Sequence, residues 1–298
     1  MNFEPEESAV LSRVDRWARD DDRVRVVLLT SSRANRAFPR DALTDYDVAV
    51  VTPEPDAFSD DGWLGSFGTP LVRVRDVESV DGLDVHHCMS IFDDWAKIDF
   101  SFWPAIFLDR VRVVRRLPDE FAAGYRVLLD KDGATADWPV PTETPWTVAR
   151  PTEREFDDLV QEFWFVATYV AKYLWRNELL AAKVIFDYEL KYLVVRRLLD
   201  WRAGAATGWS VPSGFFGRGL QQRLDAETWD AFMATYVGAD PAESWAALFA
   251  TTDLFRRAAS ELAAELGVSY PIALDERMTA YLRAIENLGA HPSRPIPH

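Results

Sequence analysis

The chain has very little cysteine and few lysines. Cys88 is the single cysteine among 298 residues, which excludes an intrachain disulfide and a zinc site built from several cysteines. A reducing compartment, the cytoplasm, is therefore expected. Only five of the 33 basic residues are lysines, so arginine carries most of the positive charge. The N-terminal residues lack a basic region followed by an apolar run, and no stretch approaches 18 apolar residues. Neither a signal peptide nor a membrane span is expected.

The chain also has fewer basic than acidic residues, 33 against 48, so its formal net charge is −15. A nucleic-acid-binding surface needs a basic stripe, so DNA and RNA are not expected as partners. An acidic field would instead favour the approach of a small cationic molecule, although solubility alone also explains such a charge. Hydrophobic residues make up 48% of the chain and it has twelve tryptophans, which is typical of a globular protein with a sizeable core.

Apolar patterns divide the first half of the chain into a helix followed by alternating strands and helices. Helical spacing predicts an opening helix over residues 7–20. Strands are predicted over residues 24–30, 45–52, 71–75, 86–92 and 96–103, with a crossover helix over residues 56–67. The last two strands are expected to form an antiparallel pair. Together these segments predict a mixed sheet of about five strands with helices packed on it.

The second half of the chain has the character of a helical domain. Residues 136–151 contain four prolines and no apolar periodicity, which is typical of a linker. Thr152 and Glu155 then form a capping-box pattern at the start of a long helix. Further helices are predicted over residues 178–201, 227–237, 241–266 and 275–288. The predicted fold class is α+β, with a mixed-sheet domain over residues 1–140 followed by an all-helical domain over residues 151–298.

Two aspartates open the second predicted strand, in the sequence DYDVAVV. Asp45 and Asp47 lie two residues apart, so on an extended strand their side chains point to the same face. Asp99 lies on the polar face of the strand AKIDFSFW, and it would join the pair if that strand lay beside the first. Three carboxylates on one face suit a hard divalent cation such as Mg²⁺. Carboxylates are also common in ordinary turns before strands, so the first pair alone does not decide between these readings.

These residues carry a resemblance to a known family. The aminoglycoside 6-adenylyltransferases, or streptomycin adenylyltransferases, belong to the nucleotidyltransferase superfamily. Their pattern is a Gly-Ser-Arg turn, about a dozen residues, Asp-Tyr-Asp, and later an aspartate on a strand. The chain matches it with residues 31–33 (SSR), residues 45–47 (DYD) and Asp99. The segments LLDKDG, PTEREF, EFW, LWRNE, AK and DLFR follow in family order, so the resemblance covers residues 7–288. Ser31 departs from the pattern, because the family has glycine there.

The resemblance implies a magnesium-dependent enzyme of antibiotic resistance. Such an enzyme moves AMP from ATP to a hydroxyl of an aminoglycoside, such as streptomycin. Asp45 and Asp47 would hold both metal ions. Asp99 would hold the metal ion that lowers the pKa of the acceptor hydroxyl. Asp99 is also a candidate to take the proton of that hydroxyl. The alternative is a catalytically degenerate family member that binds nucleotide or a small cation without turnover, because Ser31 replaces the glycine that permits close phosphate approach.

The resemblance also implies which residues bind the nucleotide. Ser31, Ser32 and Arg33 would meet the triphosphate, since the arginine fork suits phosphate oxygens. A lysine of the helical domain would reach the phosphates, and Lys183 is the preferred candidate over Lys172. The alternative for Arg33 is that it is only a solvated residue of the turn. The alternative for Lys183 is that it is only a surface lysine.

Candidate residues for the acceptor lie in the second domain, which we expect to be the substrate-binding one. Glu178 and Asp187 are carboxylates that could bind the cationic groups of an aminoglycoside. The alternative is that Asp187 only forms an ion pair within its helix, with Lys183 four residues earlier. Trp175 is a candidate to stack on adenine or on a sugar ring, although core packing is the ordinary role of such a residue.

Overall fold

The chain forms two compact units, Met1–Pro145 and Trp146–His298, in a computed structural model. The structure describes residues 6–35, 40–118, 121, 124–141, 147–210 and 214–288. The middle of the predicted linker, residues 142–146, lies outside this described part of the chain. Each unit has a hydrophobic core of its own.

The first unit is built on six strands with helices on both faces. In chain order its regular elements are α1 (Glu7–Asp20), β1 (Val26–Thr30), α2 (Ser31–Ala34), β2 (Tyr46–Thr52), β3 (Pro70–Val80), β4 (Leu83–Phe92), β5 (Lys97–Pro104), α3 (Ile106–Val114) and β6 (Tyr125–Asp130). The strand order is β3-β4-β5-β2-β1-β6. The sheet is mixed, because β2 and β5 run parallel while the other neighbouring strands run antiparallel.

The central strands bury both faces, and alternation along them sorts their residues into two cores. Val27 and Leu29 of β1 face the core that α1 covers, which also contains Trp17. Val26 and Leu28 face the opposite core, which α3 covers. A strand buried on both faces is apolar throughout, which explains why β1 was recognisable as a short apolar run.

Two local predictions in the first unit were wrong. No long crossover helix covers residues 56–67; two short 3₁₀ stretches, Pro55–Phe58 and Leu64–Ser66, lie there instead. The Asp60 carboxylate accepts a hydrogen bond from the backbone N–H of Gly62, a local bond that competes with a helix. Strand β3 also extends beyond residue 75, because a two-residue turn at Asp81 and Gly82, both with positive φ, folds it back along β4.

The second unit is helical. Its regular elements are α4 (Glu153–Trp175), α5 (Leu179–Lys183), a π-helical stretch (Val184–Val195), α6 (Arg196–Ala206), a 3₁₀ turn (Phe215–Gly217), α7 (Leu220–Arg223), α8 (Ala226–Ala234), α9 (Pro241–Leu266) and α10 (Ile272–Glu286). Thr152 and Glu155 form the predicted capping box at the start of α4. The predicted helix over residues 178–201 corresponds to the run α5, π stretch and α6, which continues to Ala206.

These two architectures, a mixed-sheet unit followed by a helical one, confirm the predicted α+β fold class. Within the described ranges, no helix is both long enough and apolar enough to cross a membrane. Helix α9, of 26 residues, begins at Pro241 after the cap Asp240 and ends before Gly267, which has a left-handed conformation. Its bounds agree with the prediction because each end carries a local stop signal.

Candidate active site

Three carboxylates meet at one edge of the first unit's sheet. Asp45 directly precedes β2, and Asp47 is the second residue of that strand. The neighbouring strand β5 runs parallel, and its Asp99 lies opposite Asp47 in the register. The structure therefore brings the three predicted carboxylates to one face of two adjacent strands. The reverse face of the same segments belongs to the core that contains Tyr46, Ile98 and other apolar side chains.

A fourth residue, Lys97, lies among these carboxylates. Its Nζ is 2.6 Å from Asp45 Oδ2 and 3.1 Å from Asp99 Oδ2. Lys97 is two residues before Asp99 on β5, so both side chains leave the strand on the same face. It is 43% exposed at the side chain, against 33% for Asp45 and 22% for Asp99. The ammonium thus bridges two of the three carboxylates from the solvent side of the cluster.

The third carboxylate, Asp47, is electrostatically unfavourable as an anion. Burial, followed by the negative charges of Asp45 and Asp99, raises the pKa of Asp47 to about 7, while a hydrogen bond from the Ser31 hydroxyl acts in the opposite direction. Burial also raises the pKa of Asp99, against the influence of Lys97. The Oδ1 atom of Asp99 is buried and has no hydrogen-bond partner. Unfavourable anions with an unused acceptor atom are what a cation would stabilise.

The chemistry of this cluster suits a divalent metal ion, but its present arrangement is closed. Oxygen donors from three carboxylates are the ligands that Mg²⁺ prefers. Across the described part of the chain, however, no set of three Asp, Glu, His or Cys side chains is arranged to hold a metal ion. In this arrangement Lys97 lies between Asp45 and Asp99 and pairs with both.

The turn after β1 approaches this cluster. Ser31 follows Thr30, the last residue of β1, and begins the short helix α2 with φ +55°. That left-handed conformation costs an L-residue energy that glycine does not pay. The Thr30 hydroxyl donates to the carbonyl of Asp47 at 3.4 Å. Ser31 and Ser32 are both half-buried. The turn therefore adopts the backbone geometry of a glycine with a serine in place.

Arg33 is buried behind the turn. Only 6% of the residue is exposed. Its Nε donates to the carbonyl of Asp45 at 2.9 Å and its Nη2 to the carbonyl of Thr44 at 2.6 Å. Nη1 lies 3.2 Å from the Glu7 carboxylate, and the guanidinium stacks over the ring of Tyr46 at 3.8 Å. All three nitrogens contact protein, so Arg33 holds the backbone that carries Asp45.

The chain is similar in sequence to known proteins. The sequence profile of the streptomycin adenylyltransferase family matches residues 5–285. The chain belongs to that family. It is 32% identical to an aminoglycoside 6-adenylyltransferase from Campylobacter jejuni over 281 residues, 93% of this chain and 94% of that one. A second aminoglycoside 6-adenylyltransferase, from Bacillus subtilis (strain 168), is 32% identical over 280 residues, 90% of this chain and 94% of that one.

A solved structure is also similar. The crystal structure of an aminoglycoside 6-adenyltransferase from Bacillus subtilis is 26% identical, covers 95% of this chain and 99% of its own, and has a TM-score of 0.47. The sequence matches confirm the resemblance drawn from the motifs, and with it the prediction that the chain is an enzyme of the adenylyltransferase type.

In the helical unit of this family member, Asp187 lies between two lysines. Lys183 Nζ is 2.8 Å from Asp187 Oδ2 and donates to the carbonyl of Val237 at 2.9 Å. Lys191 Nζ donates to Asp187 Oδ1 at 2.8 Å and to the carbonyl of Thr235 at 2.6 Å. Both lysines thus neutralise Asp187 and bind carbonyls just after α8, where a helix end favours positive charge.

Sequence reasoning missed Lys191, which is fully buried. Burial lowers its pKa to about 8, against the effect of Asp187. The signal was present in the spacing, because residues 183, 187 and 191 repeat every four residues and share one helix face. The competing candidate Lys172 lies over the rings of Tyr169 and Tyr173, at 4.3 and 4.6 Å.

The other two acceptor candidates lie at the junction of α4 and α5. Trp175 is the last residue of α4 and is half-buried, while Glu178 immediately precedes α5 and is exposed. Trp164, one of the other aromatic residues of α4, is buried in the core of the unit. Of the two predicted acceptor carboxylates, Glu178 is therefore the one that solvent reaches readily.

Proposed function

We propose that the chain transfers the AMP group of ATP to a hydroxyl of an aminoglycoside, with Mg²⁺ as its cofactor. The observation that supports this most is the convergence of Asp45, Asp47 and Asp99 on one face of two parallel strands. It occurs in a chain whose relatives are named aminoglycoside 6-adenylyltransferases. Streptomycin appears in the description of the family and is the first acceptor that we propose.

The three aspartates would carry the chemistry. We assign Asp45 and Asp47 to hold Mg²⁺, with Asp99 as a further ligand. When bound, Mg²⁺ neutralises the charge on the phosphates during transfer. Asp99 would also accept the proton of the acceptor hydroxyl while the oxygen of that hydroxyl bonds to the α-phosphorus. The bond between that phosphorus and the bridging oxygen breaks, and pyrophosphate leaves. Burial raises the pKa of Asp99, and a raised pKa favours proton acceptance near neutrality.

The turn after β1 would bind the triphosphate. Ser31 and Ser32 would offer backbone N–H groups and hydroxyls to its oxygens. We give Arg33 a different role from the direct phosphate contact expected from the sequence. Because its guanidinium already binds the carbonyls of Thr44 and Asp45, it would position the catalytic segment. Lys183 stays a candidate phosphate ligand, although it would have to leave its present partners.

The helical unit would select the acceptor. An aminoglycoside carries several positive charges, which an acidic chain of net charge −15 attracts. Exposed Glu178 is the better carboxylate for this purpose, because Asp187 is already paired with two lysines. Trp175 would stack on a sugar ring or on adenine. Since ATP is the co-substrate, we place the reaction in the cytoplasm, where modification would confer resistance to the antibiotic.

A catalytically degenerate protein is the second candidate function. Ser31 stands where the family has glycine, and its φ of +55° shows that the turn keeps a conformation that favours glycine. A poorer phosphate fit there would leave a protein that binds nucleotide or a small cation without turnover.

Transfer of label from ATP separates these two functions. The protein would be incubated with ATP labelled at the α-phosphate, Mg²⁺, and streptomycin, other aminoglycosides or a neutral polyol. We expect labelled streptomycin together with pyrophosphate. No transfer to any acceptor, despite binding of a non-hydrolysable ATP analogue, would support the degenerate protein. Transfer only to the neutral acceptor would refute the aminoglycoside assignment while leaving nucleotidyl transfer intact.

Variants test the metal assignment in the same assay. We expect Asp45→Asn and Asp47→Asn to lose about 100-fold or more in turnover while the far-ultraviolet circular dichroism stays unchanged. Asp84→Asn is the matched control, because Asp84 is an exposed aspartate on β4 of the same sheet. Near-normal activity of either catalytic variant would contradict the assignment.

A further inference from the structure

We propose that Lys97 is a displaceable counter-cation of the three-aspartate cluster, which a divalent metal ion must displace in order to bind. Lys97 is thus a positioning residue that sets how tightly the site binds metal before any nucleotide arrives. The inference rests on the proposed function in one respect only, namely that Asp45 and Asp99 are the carboxylates that receive the metal.

The geometry of the ion pairs supports competition between the two cations. Lys97 Nζ lies 2.6 Å from Asp45 Oδ2 and 3.1 Å from Asp99 Oδ2, so one ammonium joins carboxylates that come from sequence positions far apart. A metal ion held by the same two oxygen atoms would need the lone pairs that now face the ammonium. The ammonium and a divalent metal ion cannot both lie between these two carboxylates, because two positive charges so close together repel each other.

The exposure of Lys97 makes its displacement inexpensive. Its side chain is 43% exposed, so the ammonium can swing into water on its flexible stem without losing hydration. Two other cations near a carboxylate lack this freedom. Arg33 is 6% exposed and bound to backbone carbonyls, and Lys191 is fully buried. Lys97 therefore differs from Arg33 and Lys191 in a property that a displaceable group requires.

The cluster also retains an unused acceptor while Lys97 is in place. Asp99 Oδ1 is buried without a hydrogen-bond partner, although Oδ2 of the same carboxylate faces the ammonium. Asp47, opposite Asp99 in the strand register, gains no ion pair with Lys97 among the described contacts. The ammonium thus satisfies the cluster only in part. A divalent ion with several coordination positions could satisfy more of these oxygen atoms at once.

Binding of Mn²⁺ without nucleotide tests the inference. Free Mn²⁺ would be followed by electron paramagnetic resonance in titrations of wild type, Lys97→Met and Lys97→Arg. We expect Lys97→Met to bind Mn²⁺ about five-fold more tightly, because an exposed competing ion pair is removed. We expect Lys97→Arg to bind more weakly than wild type, because a guanidinium fork can hold both carboxylates more firmly.

Lys131→Met is the matched control. Lys131 is a lysine of the same unit whose Nζ binds the backbone carbonyl of Asp21 at 2.9 Å, so its loss should leave Mn²⁺ affinity unchanged. The metal-free Lys97→Met protein should also unfold at a lower temperature than wild type. Added Mn²⁺ should raise its unfolding temperature by more than it raises that of wild type. A purely structural lysine would lower the unfolding temperature without tightening metal binding.

The outcomes separate this inference from the proposed function. Equal or weaker Mn²⁺ binding by Lys97→Met, with wild-type AMP transfer intact, would overturn the role of Lys97 alone. If Lys97→Met does not fold, tighter binding by Lys97→Arg than by wild type would overturn it instead. Absence of Mn²⁺ binding by both the wild type and Lys97→Met would overturn the inference together with the metal assignment.

Discussion

The left-handed conformation of Ser31 leads to a prediction that two substitutions can isolate. Ser31 has φ +55°, and its hydroxyl makes a hydrogen bond that favours the ionised form of Asp47. Ser31→Ala removes the hydroxyl and keeps the Cβ atom in the unfavourable conformation. Ser31→Gly removes both the hydroxyl and the Cβ atom. The two variants therefore differ only in the backbone contribution of the Cβ atom.

The size of that contribution can be estimated from general values. A left-handed conformation costs an L-residue about 1–2 kcal/mol, and the greater freedom of glycine in the unfolded chain returns part of this. We expect Ser31→Gly to be about 1 kcal/mol more stable than Ser31→Ala. Loss of the hydroxyl costs both variants a similar amount, about 1 kcal/mol for a typical hydrogen bond. Ser31→Gly should thus resemble wild type, and Ser31→Ala should be less stable.

Urea titration in metal-free buffer, followed by tryptophan fluorescence, would compare the free energies of unfolding. The two units need not unfold together, so the midpoint of the transition that shifts is the quantity to compare. A Ser31→Ala protein that is as stable as Ser31→Gly would refute the reasoning, because the strain assigned to the Cβ atom would then be absent.

The same pair of variants tests nucleotide binding. We expect Ser31→Gly to bind a non-hydrolysable ATP analogue with Mg²⁺ more tightly than wild type, because glycine permits a closer approach of phosphate to the backbone. Isothermal titration calorimetry would measure this, with Ser31→Ala as the control for loss of the hydroxyl. Unchanged or weaker binding by Ser31→Gly would show that serine is accommodated, and the degenerate alternative would lose its basis.

Three further outcomes are expected. In metal-free buffer Asp47→Asn should stabilise the protein more at pH 8 than at pH 5, by about 2 kcal/mol in urea titrations. The folded-state pKa of Asp47 is raised to about 7, so wild-type stability falls as pH rises from about 4 through 7. Arg33→Lys should lower kcat and leave the KM for ATP nearly unchanged, whereas a raised KM alone would indicate direct phosphate contact. Streptomycin affinity should fall from low to physiological ionic strength, and Glu178→Gln should weaken it further; salt-independent binding would contradict the carboxylate role.

Local signals in the sequence were sufficient for much of the fold. The helices α1 and α9 begin and end where apolar periodicity indicates, because the interactions that set this pattern lie within a few residues of one another. Strand β6 (Tyr125–Asp130) was not predicted. It lies at an edge of the sheet as far as the described strands go, pairs with β1, and shows no clean alternation of buried and exposed residues. Its position depends on a partner strand about a hundred residues earlier, which no local pattern encodes.

The candidate site also combines features that the local sequence determines with features that only the tertiary structure determines. The sequence by itself determined the identity and spacing of Asp45, Asp47 and Asp99, because strand alternation and the family motif are both properties of short segments. Only the tertiary structure decided that Lys97 contacts Asp45, 52 residues earlier, and that Arg33 is buried against backbone carbonyls. Ion pairs of this kind depend on which strands lie side by side and in which register. That choice results from burial of the whole sheet and is absent from any single segment.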